Sequence, residues 1–80
     1  MLVYPNPSND FVNIKSGEEY AIIKEVEVLT ILSQVVKRES IYKNECQLNI
    51  EELPEGVYLM SVKVEANNNQ YIITKKLIKR

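Results

Sequence analysis

Apolar and polar residues alternate most regularly over residues 57–66, where Tyr58, Met60, Val62 and Val64 interleave with Leu59, Ser61, Lys63 and Glu65. A period of two is that of a β-strand with one buried face, because successive strand side chains point to opposite sides. Asn67, Asn68 and Asn69 follow. Asparagine tolerates positive φ, so the β-rich run at 70–78 is expected to return as the antiparallel partner of a hairpin. Upstream, residues 11–15 place Val12 and Ile14 on one face, and residues 22–31 set Val26 and Val28 among Glu25 and Glu27. Residues 34–38 and 47–50 supply two more strands. A helix over 33–40 is disfavoured, since Val35 and Val36 are β-branched and the stretch lacks a helical apolar stripe. Six or seven closely spaced strands predict an all-β domain of two packed sheets.

Two turn signals refine this picture. In Leu53-Pro54-Glu55-Gly56, proline presets φ and glycine suits the exit, which aims the chain into the strand beginning at Val57 and frees Leu53 to enter the core. In Tyr4-Pro5-Asn6-Pro7-Ser8, two ring nitrogens that cannot donate hydrogen bonds predict an extended, rigid edge or linker segment. The expected organisation is a single domain over residues 1–80, with 1–10 as an extended lead-in and 11–80 as the sandwich. Val12, Ile14, Val26, Val28, Leu48, Leu53, Tyr58, Val62 and Ile73 are expected in or near its core.

Composition removes several functions. Eighty residues form one small domain, which buries only roughly 60–65 % of the surface its unfolded chain exposes. A net charge of −1 gives no general affinity for nucleic acid, and no apolar run reaches the roughly 18 residues of a transmembrane helix. The absence of histidine excludes Ser-His-Asp and Cys-His catalysis and histidine metal ligands. Glu51, Glu52 and Glu55 lie in a turn of a domain too small for a deep cleft, and Gly17 and Gly56 begin no phosphate-binding loop. No enzyme activity and no cofactor are therefore expected. Cys46 is the only cysteine; it cannot form an internal disulfide and reads as core filler, free to pair only between chains. No N-terminal signal peptide is visible before Pro5. The charge is uneven, because Lys75, Lys76, Lys79 and Arg80 lie in the last ten residues with no acidic residue among them.

Four blocks, in order, resemble the C-terminal sorting domains of the type IX (Por) secretion system, type A. Leu2, Val3, Tyr4, Pro5, Asn6, Pro7 and Ser8 look like the family's opening. Residues 26–36 resemble its second block, with Ser33 where a glycine usually precedes the Gln or Lys, which predicts a different turn there. Residues 48–62 resemble the third, with Leu53, Gly56, Val57 and Tyr58 at matching positions. The ending YIITKKLIKR is similar to the family's last strand, through Lys75, Lys76, Leu77, Ile78 and Lys79.

The resemblance implies an immunoglobulin-like β-sandwich of about seven antiparallel strands, fused behind an N-terminal cargo domain in Bacteroidetes-type bacteria. It also implies transit through the periplasm, passage through the outer-membrane type IX translocon, and removal by a sortase-like cysteine protease at the cell surface, where cargo is anchored to lipopolysaccharide or secreted. Translocon recognition is expected at Lys75, Lys76, Leu77, Ile78, Lys79 and Arg80. A homodimer through an exposed edge strand is a further expected partner state. The alternative is a generic adhesive or carbohydrate-binding module, which the dispersed tyrosines and absent tryptophan disfavour.

Overall fold

The computed structural model describes all of residues 1–80. It contains seven strands and no helix: β1 (Leu2–Tyr4), β2 (Phe11–Lys15), β3 (Ile22–Thr30), β4 (Val35–Lys43), β5 (Glu45–Asn49), β6 (Gly56–Ala66) and β7 (Asn69–Lys79). They form a three-stranded sheet, β1-β2-β5, and a four-stranded sheet, β4-β3-β6-β7, with every strand pair antiparallel. The all-β architecture of two packed sheets expected from the alternation is the one found, with the seven strands that the resemblance implied. One apolar cluster joins the sheets, with Val12, Ile14 and Leu48 from the first and Val26, Val28, Met60, Val62, Val64 and Leu77 from the second. Ile73 and Cys46 pack against this cluster half-buried. Burial pushes the Cys46 thiol pKa up from its ordinary value.

Local chemistry explains the connections. Asn67 and Asn68 both take positive φ (53° and 62°), and Ala66 faces Asn69 across the gap, the geometry of a two-residue primed turn. Its twist matches that of the flanking strands, so the longest hairpin needs no glycine. Gly56 opens β6 at φ 155°, a conformation L side chains rarely adopt. Ser33 sits at φ 68°, the left-handed region that glycine enters most readily. The departure from glycine expected to change this turn thus leaves the backbone in a glycine-like conformation. Thr30 steadies the loop, its Oγ1 accepting from the N–H groups of Leu32 and Gln34.

Three elements differ from expectation. Of the edge and linker readings of the lead-in, residues 2–4 take the edge: β1 pairs with β2 in the register Leu2↔Lys15, Val3↔Ile14 and Tyr4↔Asn13. β4 runs on to Lys43 instead of stopping near Arg38, because β3 continues opposite it as far as Ile23. In β3, a bulge between Ile23 and Glu25 breaks the alternation. The extra residue turns Ile23 and Val26 to the same side, three positions apart, and both are buried.

Candidate functional site

The residues of the first, third and fourth sequence blocks meet at one end of the four-stranded sheet. The β6–β7 register sets Gly56 opposite Lys79, Val57 opposite Ile78 and Tyr58 opposite Leu77. On the other side of β7 lies the Asn6–Ser8 segment, with a parallel bridge from Ser8 to Lys79. The order across this end is therefore residues 56–58, then 77–80, then 6–8. Tyr4 stands apart, in the other sheet, where its ring lies 5.8 Å from Lys15 Nζ. The tyrosine holds the Lys15 pKa above its ordinary value by hydrogen bonding and charge, with a lesser contribution from Glu45.

Each motif residue has a local task at this end. Tyr58 is buried and donates its hydroxyl to the Pro54 carbonyl at 2.6 Å, tying the start of β6 to the turn before it. A satisfied hydrogen bond of this kind contributes about 1 kcal/mol and removes the cost of a buried unpaired hydroxyl. Leu53, 7 % exposed, fills the core beneath that turn, and its N–H donates to the Ile50 carbonyl at 3.0 Å. Pro54, Gly56 and Val57 remain exposed. Ser8 is the only buried polar residue, 1 % exposed, and its hydroxyl donates to the Pro5 carbonyl.

The six tail residues divide between the faces of β7. Leu77 faces inward opposite Tyr58 and is fully buried, so it completes the core and is withdrawn from any surface a partner of the folded domain could touch. Strand alternation sends Leu77 and its neighbour Ile78 to opposite faces. Ile78 is half-buried on the outer face beside Val57, which is 46 % exposed. Lys75 and Lys79 are half-buried, and Lys76 and Arg80 are exposed.

None of these four cations has an Asp or Glu carboxylate within salt-bridge distance, although Lys79 Nζ donates to the Arg80 main-chain oxygen at 3.2 Å. The ion pairs engage Lys15, Lys24, Lys37 and Arg38. Lys37 holds the Glu52 carboxyl below its usual range by a 2.9 Å hydrogen bond, to which Lys79 adds a small charge effect. The tail thus presents positive charge that the domain leaves uncompensated. The widest surface depression, about 420 Å³, lies elsewhere, beside Tyr4, Lys15 and Cys46, and no group of three metal-ligating side chains occurs.

Sequence reasoning singled out these motif residues without seeing that Asn6 and Ser8 touch Lys76, Ile78 and Arg80. The available hint was the paired prolines, which leave Asn6 and Ser8 as the only backbone donors between positions 5 and 8. A family model described as "Secretion system C-terminal sorting domain" matches residues 2–80. No curated protein matches the chain.

Proposed function

Because the chain belongs to the family of secretion system C-terminal sorting domains, and so is a sorting signal of the type IX system, we propose that its translocon is engaged by the outer end of β7. The domain directs an attached N-terminal cargo to the cell surface or the medium. The observation carrying the reading is the set of four cations, Lys75, Lys76, Lys79 and Arg80, that have no Asp or Glu partner in the fold. An acidic partner surface would gain their attraction without first breaking internal ion pairs, and such charge mainly speeds encounter. Val57 and Ile78 add apolar contact area beside them. Only part of the β7 edge is open to an added strand, because the outward groups from the Lys76 carbonyl to the Arg80 N–H are engaged by Asn6 and Ser8. The outward backbone groups of Ile72 and Thr74 remain as the place for β-addition.

The test is charge reversal, Lys75→Glu with Lys76→Glu, in the chain fused to a secreted reporter. Lys76 is exposed, but Lys75 is half-buried on the Leu77 side of the strand, opposite Met60, so the unfolding midpoint of the double variant is measured beside its delivery. Surface delivery should fall severalfold while the unfolding midpoint holds. Normal delivery by a well-folded double variant excludes the cationic tail as the recognised site.

The transit and processing steps follow the same reading: the domain crosses the periplasm folded and is removed by a sortase-like cysteine protease. A protease needs an extended, unpaired backbone, and pairing of β1 with β2 seals residues 2–4. The cut therefore falls before Leu2. N-terminal sequencing of the released fragment should find a start at or upstream of Leu2; a start beyond Leu2 contradicts the reading.

A further inference from the structure

Four hydrogen bonds close the outer edge of β7 where it would otherwise be bare. The Ser8 N–H donates to the Ile78 carbonyl at 2.8 Å, and the Arg80 N–H donates to the Ser8 carbonyl at 2.8 Å. The Asn6 side-chain amide donates from Nδ2 to the Lys76 carbonyl at 2.8 Å, and its Oδ1 accepts the Ile78 N–H at 3.0 Å. From these contacts we infer that Asn6 and Ser8 are positioning residues for the sorting signal, a clasp that fixes residues 76–80 in the register of the sheet. The signal is then discontinuous, assembled from segments some seventy residues apart. This inference rests on the reading that the end of β7 is what the translocon engages.

The chemistry of the segment suits the task. A carboxamide carries the same donor and acceptor as a peptide group, so the Asn6 side chain substitutes for a missing strand residue beside Lys76 and Ile78. Pro5 and Pro7 have no N–H, which prevents the segment from extending into a full ladder strand and confines its grip to these few bonds. Burial of Ser8 and the bond from its hydroxyl to the Pro5 carbonyl hold the segment's own shape. Without the clasp, the last residues of an edge strand would keep bonds on one side only, and such ends open at little cost in free energy. The clasping segment follows β1 directly, on the side of the domain where an N-terminal cargo is attached. A partner therefore meets an ordered cationic end only when the lead-in from the cargo is docked on the sandwich.

The side-chain half of the clasp is tested with Asn6→Ala and Asn6→Asp in the 80-residue chain, by residue-resolved amide exchange. Export is measured in parallel on reporter fusions in a bacterium that has the type IX system. Asn6 is exposed, so the core is left intact. In Asn6→Ala, exchange of the Ile78 amide should quicken about five- to tenfold, the loss of one net hydrogen bond, with the Val62 amide unchanged. Asn6→Asp keeps an acceptor for the Ile78 N–H but loses the donor to Lys76, so its Ile78 rate should lie between those of the parent and Asn6→Ala. Export should fall in the same order. An unchanged Ile78 rate in Asn6→Ala overturns the clasp, as does acceleration of Val62 by the same factor, which would make Asn6 a general stability residue. If Ile78 alone quickens and export stays normal while the Lys75/Lys76 reversal blocks it, the clasp is not needed for recognition and the tail reading survives. Normal export in the Asn6 variants and in the Lys75/Lys76 reversal alike sinks the tail reading itself.

Discussion

Leu77→Ala is expected to lower the unfolding free energy by about 2–5 kcal/mol, the range for removing a buried leucine side chain from a close-packed core. Leu77 is fully buried and joins the last strand to the core opposite Tyr58. The core has only fourteen buried apolar residues, and a core in a domain of this size rarely supplies more than about 3–5 kcal/mol. The variant should therefore be largely unfolded at ambient temperature, in urea titrations followed by far-UV circular dichroism. Ile72→Ala on the same strand is the control: Ile72 is 62 % exposed, and its loss should matter by no more than about 0.5 kcal/mol. A Leu77→Ala shift below about 1 kcal/mol would contradict the inward placement. The result also bears on export, since a Leu77 variant that fails to be exported reports unfolding and not a lost contact.

Leu53→Ala should cost about 2–3 kcal/mol, toward the lower end of the same range because a turn relaxes around a cavity more easily than a sheet does. Leu53 is 7 % exposed beneath the turn that leads into β6, while Pro54 and Glu55 next to it are exposed. For a domain of this length each kcal/mol moves the melting temperature by about 4–8 °C, so the loss should be plain in a thermal scan. An unchanged midpoint would remove Leu53 from the core and reduce the Leu-turn-Gly-Val-Tyr pattern to a turn signal alone.

The parts legible in the sequence are those decided by neighbours. Alternation from Tyr58 to Val64 fixed one face of β6, and the asparagines that follow specified a turn needing positive φ at two positions. Val12, Ile14, Val26, Val28, Leu48, Leu53, Tyr58 and Val62, expected in the core from the same logic, are all buried. Family membership was legible too, because four short blocks in order carry it even though each is weak alone.

Other features had no local signature. β1 is three residues long, too short for a period to show, and exists because β2 offers it an edge. Ile23 went unrecognised because a bulge reverses the parity that an alternation count assumes. In β7, Leu77-Ile78 is an adjacent apolar pair for which periodicity does not choose the inner member, whereas Ile73 was already favoured over Ile72. Pairing with β6 chose Leu77, setting it against Tyr58 as it sets Ile73 against Val62. The clasp of Asn6 and Ser8 on the last strand lay furthest from view. Propensity and periodicity act over a few residues, whereas these bonds join positions as much as 72 apart, and only closure of the whole sandwich brings them within 3 Å.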